Sequence, residues 1–418
     1  MITPFEKLEE LRVNPESSYR CLELSPNGLL YAAATVNSVE LWSACGEVML
    51  LARCHHQRPS GYSKALLKRV FLVWNNDSSS FAVIWSEGNV NYYSVSYRTT
   101  SLEDVYSDQE DPIILPRASM KVNCLISIEQ FGYPISACAY EGRILVATDN
   151  GMVCELNWKG DSVGRTLNRL LGVSSEESSE FKDNQKILSL SACSELNCLA
   201  IALNSKSCCL VDVSDVRHPL KSIDFHTDSS HDIRQVCFCP GLPLLAVMST
   251  SLTVTIYQVT RKEQDSYSLR CNPIDLIDVR QIPRTQISPL HSYDSIVSLA
   301  WCPSQPILAI GLRYQGLVVW SLHTGIVYTY ASSQEDTPLD EVKTPGGSEC
   351  IGVASSTEIS CCAFSSTGSH LLFNIPFEQI INPENSQPYT RTSRLLLQPF
   401  FVSADHVSAT YVYSICYD

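Results

Sequence analysis

Short apolar runs recur along the chain, and turns carrying Pro, Gly or Asn separate them. Residues 295–325 give one example, "SIVSLAWCPSQPILAIGLRYQGLVVWSLHTG", in which a Pro-bearing and a Gly-bearing turn join three apolar runs. Runs of this length between such turns are typical of β-strands connected as hairpins. The segment therefore predicts a three-stranded antiparallel unit.

The same unit occurs seven times. Its second strand is predicted to begin at Leu29, Phe81, Ile144, Leu199, Leu244, Ile307 and Leu371. Successive starts are 45 residues apart at the closest (199 to 244) and 64 at the widest (307 to 371). A propeller blade needs about 40 to 50 residues, so the wider steps indicate loop insertions.

The predicted middle strands are apolar on consecutive residues, as in "ILVAT" at 144–148 and "ILAIGL" at 307–312. This pattern indicates strands that are covered on both faces. Sheets that stack around a central axis provide such cover. The sequence therefore predicts an all-β fold, a seven-bladed WD40-like β-propeller with acidic loop insertions. A pair of β-sandwiches is the alternative, although sandwiches lack a fixed repeat of this length.

The repeats also suggest boundaries. We expect residues 1–19 to be an N-terminal lead-in and residues 20–402 to form the propeller. Residues 403–418 would supply the last outer strand or begin a following region. Tight turns are predicted at Ser25–Gly28, at Glu87–Asn89 and at Asp149–Gly151, because Asn and Gly tolerate positive φ.

Composition and charge restrict the classes of molecule that the protein is expected to bind. Hydrophobic residues make up 44% of the chain and charged residues 18%, which is ordinary for a folded protein. The formal net charge of -14 would repel a phosphate backbone, so nucleic acid is not an expected partner. No apolar run approaches the roughly 18 residues of a membrane span, and "MITPFEKLEELRV" lacks the apolar core of a signal peptide. We expect a cytosolic protein whose membrane contact is peripheral.

Three insertions are acidic and rich in Ser, at residues 101–112, 172–184 and 332–349. Such composition cannot build a core and predicts mobile loops. They are either solubilising surface or regulatory loops that accept phosphate.

The chain has 18 cysteines. Many lie inside apolar runs, where reduced cysteine packs as a small hydrophobic residue: Cys138, Cys154, Cys198, Cys208, Cys237, Cys302 and Cys361. Cys54, His55 and His56, with Cys45 upstream, are the nearest approach to a metal-ligand cluster. Paired C-x2-C sequences of the zinc-ribbon kind are missing, and a solvated loop is the alternative interpretation.

Common catalytic motifs are absent from the sequence, including phosphate-binding glycine loops, H-E-x-x-H and G-x-S-x-G. Asp212 and Glu155 are acids inside predicted strands, and both fit outward-facing or hydrogen-bonded positions. We therefore assign no catalytic, cofactor-binding or metal-binding residue, and we expect no enzyme activity and no cofactor.

Some polar residues fit a structural role. His231 with Asp232, and His291 with Asp294, precede predicted first strands, as do the residues that tie WD-type blades together by buried hydrogen bonds. Trp42 and Trp320 stand in third strands where WD repeats keep Trp-Asp. Ser follows each of them here, so the repeats are degenerate.

Three stretches resemble a known family. They are "FLVWNNDSSSFAVIWSEGNVNYYSVS" at 71–96, "ISACAYEGRILVATDNGMVCELNWKG" at 135–160, and the segment 295–325. Their order and spacing, over roughly residues 20–375, are similar to those of the ribosome control protein one family. That family supplies the propeller-bearing large subunit of a Golgi exchange-factor complex that acts on a Rab GTPase. "LVATDNG" followed by Trp158, Lys159 and Gly160 is the most particular match.

The resemblance implies a role in retrograde traffic from endosomes to the trans-Golgi, peripherally at the Golgi membrane. The expected partners are a smaller complex subunit and a Rab GTPase. An exchange factor of this kind stabilises the nucleotide-free GTPase by differential binding and needs no catalytic triad. Family members are much longer than this chain and have further β and helical regions after the first propeller. Candidate contact loops follow the strands predicted to end near Val95, Val259 and Ser321.

Two other functions stay open. One is a generic WD-type scaffold, such as a coat component or a ubiquitin-ligase adaptor. The other is a propeller enzyme, which would need acidic or His side chains converging around the central channel.

Overall fold

The computed structural model describes most of the chain. The described residues are 2–4, 9–11, 19–35, 38–44, 48–55, 69–101, 114–166, 186–203, 207–212, 223–226, 232–261, 269–281, 296–312, 316–330, 362–365, 370–379 and 390–402.

Within this part of the chain, nearly all regular structure is β. Two short strands come first, β1 (Ile2–Pro4) and β2 (Glu9–Leu11). Blade 1 then contains β3 (Tyr19–Leu24), β4 (Leu30–Thr35), β5 (Ser38–Ser43) and β6 (Leu50–His55). Blade 2 contains β7 (Val70–Trp74), β8 (Ser80–Trp85), β9 (Asn89–Ser101) and β10 (Ile114–Ser127). Blade 3 contains β11 (Pro134–Tyr140), β12 (Arg143–Thr148), β13 (Met152–Leu156) and β14 (Ser162–Thr166).

The second half continues the series. Blade 4 contains β15 (Ile187–Cys193), β16 (Cys198–Leu203), β17 (Ser207–Asp212) and β18 (Ile223–His226). Blade 5 contains β19 (Ile233–Phe238), β20 (Leu244–Ser249), β21 (Thr253–Arg261) and β22 (Leu269–Asp278). Blade 6 contains β23 (Ile296–Trp301), β24 (Ile307–Leu312), β25 (Gly316–Ser321) and β26 (Gly325–Tyr330). Blade 7 contains β27 (Cys362–Phe364), β28 (His370–Gln379) and β29 (Thr390–Val402).

Each middle strand is covered on both faces by neighbouring blades. All six residues of β4, β16, β20 and β24 are buried. In β4, Leu30 and Ala32 pack into the core shared with blade 2, whereas Tyr31 and Ala33 pack into the core shared with blade 7. Successive side chains of a strand point to opposite faces, so a strand between two blades must be apolar at consecutive positions.

Seven hydrophobic cores separate the described blades, one between each neighbouring pair. One of these cores joins the last blade to the first, because Tyr31 and Trp42 pack with Ala363 and Leu372. The sheets therefore close into a ring. The alternative of two β-sandwiches is excluded, since a sandwich would leave one face of each sheet without a neighbouring sheet.

The predicted fold class is confirmed. Second strands begin at Leu30, Ser80, Arg143, Cys198, Leu244, Ile307 and His370, each within one residue of its predicted start. Predicted turns also form as expected. Gly28 has φ +72° and its N–H donates to the Ser25 carbonyl at 2.8 Å, and Gly151 has φ +80° and donates to the Thr148 carbonyl at 3.0 Å.

The structure adds an outer, fourth strand to each of blades 1 to 6. These strands lay outside the predicted three-strand unit. In β6 the residues are exposed or half-buried, and β10 alternates in the same way along most of its described side chains. A partly solvated edge strand has a weaker apolar signal than a strand between two blades.

The N-terminal residues complete the last blade. β1 pairs with β29 from Ile2↔Val402 to Pro4↔Phe400, and β2 pairs with the same strand from Glu9↔Leu397 to Leu11↔Leu395. Both strands run antiparallel to β29 and cover its outer edge. Residues predicted as a lead-in before the ring thus contribute strands to it, because β29 would otherwise present an open edge. Residues 403–418 lie outside the described residues.

Removing residues 2–11 should loosen this closure. Loss of the backbone pairing with β29, at roughly 1 kcal/mol for each hydrogen bond, should lower the free energy of unfolding by about 2–5 kcal/mol. Thermal and urea unfolding would measure the change, with the double variant Glu9→Gln, Glu10→Gln as a control that keeps the backbone. Equal stability of the deletion and the control would show that the pairing does not hold the ring.

Candidate functional site

The first strands of the blades surround the ring axis. β3, β7, β11, β15, β19, β23 and β27 each contact the first strand of the next blade, and β27 contacts β3. Side-chain hydrogen bonds join neighbours in this inner wall. The indole N–H of Trp74 donates to the Glu23 carbonyl at 3.3 Å, and that of Trp301 donates to the Cys237 carbonyl at 3.0 Å. The same device therefore joins blade 1 to blade 2 and blade 5 to blade 6.

Serine hydroxyls make further joints in the same wall. Ser136 Oγ accepts from the Leu190 N–H at 2.9 Å, and Ser191 Oγ accepts from the Phe238 N–H at 2.9 Å. A buried N–H left without a partner costs about 1–3 kcal/mol, so these hydroxyls help to fix the order and spacing of the inner strands.

One carboxylate on an inner strand, that of Glu23, interacts electrostatically with thiols on two other inner strands. Glu23 is exposed, yet desolvation by the surrounding strands raises its pKa to about 7. Burial raises the pKa of the Cys237 and Cys362 thiols to about 12, and the Glu23 charge adds to both shifts. The side chain of Glu23 in blade 1 therefore interacts electrostatically with Cys237 in blade 5 and Cys362 in blade 7.

These thiols are poor nucleophiles. Burial also raises the pKa of Cys138 to about 12, so all three inner cysteines stay protonated at neutral pH. Thiolates, and not thiols, attack electrophiles and bind metals. Among the described residues, no group of three or more His, Cys, Asp or Glu side chains is arranged to hold a metal ion.

Acids singled out from the sequence lie away from the axis. Glu155 on β13 forms an ion pair with Arg143 at 3.3 Å, and the Arg143 side chain is 59% exposed. This matches a hydrogen-bonded strand position. Asp212 ends β17, and its side chain is outside the described residues.

The predicted metal-ligand cluster is only partly described. Cys54 and His55 end β6, and Cys54 Sγ donates to the His55 carbonyl at 3.9 Å. Cys45 and His56 lie outside the described residues. The same holds for His231, His291 and Asp294 of the predicted WD-type networks, whereas Asp232 is exposed and its carbonyl accepts from the Thr250 N–H at 2.9 Å.

A buried polar network in blade 1 is built on Glu40, which sequence reasoning missed. The Glu40 side chain is fully buried. Its carboxylate accepts from Tyr19 Oη at 2.7 Å, from Trp42 Nε1 at 3.1 Å and from Arg53 Nε at 2.9 Å. These donors come from the first, third and fourth strands, so one charge ties the sheet together. The sequence did contain a sign of this network, because Glu40 is a charged residue within the otherwise apolar "VELW".

Trp320, the other tryptophan compared with WD repeats, uses an acid of the neighbouring blade. Its indole N–H donates to Asp275 Oδ2 of β22 at 3.0 Å. The two tryptophans therefore find carboxylates without the Asp that follows Trp in regular WD repeats.

Two of the three candidate contact regions follow unusually long hairpins. β9 and β10 have 13 and 14 residues and pair as far as Ser101↔Ile114, so the strand predicted to end near Val95 continues to Ser101. Ala118 and Met120 of this hairpin pack on the core shared with blade 1, beside Leu51. The hairpin is therefore braced against its neighbour.

β21 and β22 form a second long hairpin, which pairs as far as Arg261↔Leu269. β21 continues two residues past Val259, and Arg261 Nη2 donates to the Leu196 carbonyl of blade 4 at 2.6 Å. The third region differs from the prediction, because a short turn after Ser321 leads directly into β26 and the acidic stretch comes after Tyr330. Residues 102–112, 172–184 and 332–349 lie outside the described residues.

Solved structures with the same architecture extend over nearly the whole chain. The β-propeller domain of Myceliophteria thermophila Cps50 (Swd1) aligns with a TM-score of 0.57 and 11% identity, covering 93% of this chain and 98% of that one. The WD40 repeats of RRP9 align with a TM-score of 0.57 and 11% identity, covering 96% and 99%. Chaetomium thermophilum Raptor aligns with a TM-score of 0.55 and 12% identity, covering 95% of this chain and 30% of that one.

No family model and no curated protein matches the sequence. At these identities the structural likeness shows the fold. The chain is a WD-type β-propeller with seven blades. Within its described part, no helix has the length and apolarity to cross a membrane.

Replacing Glu40 by Gln should destabilise the protein by about 2–4 kcal/mol at neutral pH, because the buried Tyr19 and Trp42 donors and the half-buried Arg53 guanidinium would lose their carboxylate. Denaturant unfolding would measure the difference. Glu155→Gln is the matched control at an ion pair whose Arg143 partner is 59% exposed, and it should change stability by less than about 1 kcal/mol. Equal effects of the two substitutions would contradict the role given to Glu40.

Glu23 should make stability depend on pH. Its carboxyl has a higher pKa in the folded protein, about 7, than its ordinary value of 4.5. The folded state therefore holds the proton more tightly, so this stabilisation is complete below pH 4.5 and is lost as the pH rises through 7.

Glu23→Gln should remove this pH dependence and raise stability at pH 8 by about 1 kcal/mol, since channel water screens part of the desolvation. Melting temperatures between pH 4 and pH 8 would measure it, with the exposed Glu141→Gln as control. Parallel pH profiles for Glu23→Gln and the unmodified protein would refute the assignment.

Proposed function

We propose that this propeller is a protein-docking subunit and, more narrowly, part of an exchange complex that acts on a Golgi Rab GTPase. The observation that carries docking is the braced β9–β10 hairpin. Both of its strands run far beyond the six-residue strands of the ring, and Ala118 and Met120 at the base of the extension pack on blade 1. A paired hairpin that is anchored at its base loses less conformational freedom than an unpaired loop when a partner binds, which favours affinity.

The narrower role rests on the resemblance to the ribosome control protein one family. Its three matching stretches coincide with the first, second and third strands of blades 2, 3 and 6. They therefore correspond to the three inner strands of their blades, in the expected order. In this role the chain works with a smaller subunit, peripherally at the Golgi membrane, and favours the nucleotide-free GTPase by binding it more tightly than the GDP-bound form.

The negative net charge of the chain favours a protein partner that has a basic surface. At a net charge of -14, association with a basic protein would be accelerated by long-range attraction, whereas nucleic acid would be repelled. The generic scaffold is the broader form of the same proposal. It shares the docking surface and differs in the partner.

The proposal predicts co-purification with a second subunit and faster GDP release from a Golgi Rab. Tagged full-length protein would be recovered from cells with its bound partner, and release of a fluorescent GDP analogue from a panel of Golgi and endosomal Rab GTPases would be followed. Selective acceleration for one Rab would support the exchange role. Recovery of coat or ubiquitin-ligase subunits, with no acceleration, would favour the generic scaffold and remove the exchange role.

Shortening the β9–β10 hairpin tests whether it is the docking surface. Residues 98–117 would be replaced by Asn-Gly, which joins the facing Tyr97 and Ala118 by a tight turn. The matched control replaces residues 262–268 by Asn-Gly between Arg261 and Leu269 of the other long hairpin. We expect the first variant to lose the partner at least tenfold, with an unchanged melting temperature, and the control to keep it. Full partner recovery by a folded first variant would refute docking through β9–β10.

A further inference from the structure

Cys193 and Cys198 face each other across the first hairpin of blade 4. They are direct partners in the β15–β16 register, and a turn closed by the Asn197 N–H and the Ser194 carbonyl at 3.2 Å joins them. Directly opposed residues of antiparallel strands have Cα atoms about 4.5–5.5 Å apart. Disulfides span about 4.4–6.8 Å between Cα atoms. The backbone is therefore already spaced for a bridge.

The chemistry of Cys193 differs from that of the inner thiols. A hydrogen bond with the Cys198 thiol holds the pKa of Cys193 below its ordinary value, and a backbone hydrogen bond at Leu196 assists. Burial opposes this shift, as does the Glu195 carboxylate, whose Oε2 accepts from Cys193 Sγ at 3.4 Å. Burial instead raises the pKa of Cys138, Cys237 and Cys362. A lower pKa gives a larger thiolate fraction, so Cys193 is the better nucleophile.

Cys239 of blade 5 is the competing neighbour. Burial raises its pKa well above the ordinary value, and smaller electrostatic contributions come from nearby thiols, including Cys193. Its Sγ donates to the Pro240 carbonyl at 3.8 Å and to the Cys302 carbonyl at 4.0 Å. Cys239 thus lies near Cys193 but is engaged elsewhere, whereas Cys198 is opposite Cys193 in the strand register.

We propose that Cys193 and Cys198 form a modification site, a dithiol that oxidises reversibly to a disulfide within blade 4. With hydrogen peroxide as oxidant, the Cys193 sulfur attacks one oxygen, the O–O bond breaks, and the other oxygen leaves as water after taking a proton. The Cys198 sulfur then attacks the sulfenic sulfur of Cys193. The S–O bond breaks and a second water leaves with the Cys198 proton. A thiol reductant returns two electrons and two protons.

The turn above the pair controls its access. Both cysteines are buried, whereas Ser194, Glu195 and Asn197 in the turn are exposed. The turn is also held to blade 5, because the Leu196 carbonyl accepts from Arg261. A bridge below this turn would fix the hairpin at the junction between blades 4 and 5. The site is independent of the proposed function.

Peptide mass spectrometry tests the site directly. Lys186 and Lys206 flank the pair, so trypsin releases both cysteines in one peptide, residues 187–206. Folded full-length protein would be treated with hydrogen peroxide, then denatured with N-ethylmaleimide and digested. We expect peptide 187–206 to lose both labels and to be lighter by two hydrogen atoms. Dithiothreitol added before labelling should restore both labels.

A second peptide is a built-in control. Residues 207–217 contain Cys208 and Cys209, which are adjacent and buried but lie in the two different cores on either side of blade 4. This peptide should keep both labels. Oxidation of both peptides to the same extent would mean unselective chemistry and would overturn the proposal.

Two variants distinguish Cys198 from Cys239 as the disulfide partner of Cys193. Cys198→Ser should abolish the bridge and leave a sulfenic acid on Cys193 that dimedone traps, whereas Cys239→Ser should leave the bridge unchanged. Thermal melting would verify that both variants fold. Two labels on peptide 187–206 after oxidation of the unmodified protein, or a link from Cys193 to Cys239, would contradict the proposal.

Discussion

Burial of each middle strand between two neighbouring blades is the interaction on which the architecture depends. A buried aliphatic side chain contributes roughly 1.5–3 kcal/mol, and strands such as β4 and β24 bury such groups on both faces. No blade can satisfy its two faces by itself, because each apolar face needs the neighbour. The ring is the arrangement that removes the last exposed face, through the core that joins Tyr31 and Trp42 to Leu372.

Closure of the ring then rests on contacts that are distant in sequence. β1 and β2 complete the edge of β29, so residues near one end of the described chain hold residues near the other. Hydrogen bonds between neighbouring blades add to the apolar cores and fix the distance between the inner strands. Indole N–H groups of Trp74 and Trp301 reach carbonyls of the preceding blade, and hydrophobic contact alone would not specify that spacing.

Consecutive apolar residues predicted the position of each second strand to within one residue, because burial on both faces leaves a strong signal in sequence. The outer strands leave a weaker one, since one side of β6 or β10 meets water. Pairing of β1 with β29 could not be predicted, because three-residue strands carry no period and their partner is almost 400 residues away. Glu40 was missed for another reason. A buried carboxylate is acceptable only with its donors, and Tyr19 and Arg53 come from strands that only the fold brings together.

The same geometry divides the thiols into two chemical kinds. Within strand interiors, apolar neighbours desolvate sulfur, so Cys138 and Cys237 behave as small hydrophobic residues, as the sequence predicted. At the end of a hairpin the backbone turns and offers N–H groups, and a facing residue on the second strand can offer a polar side chain. Cys193 has both, in Leu196 and Cys198, and they outweigh its burial. Position in the hairpin therefore separates Cys193 from the thiols of the strand interiors, although both kinds lie inside the same ring of blades.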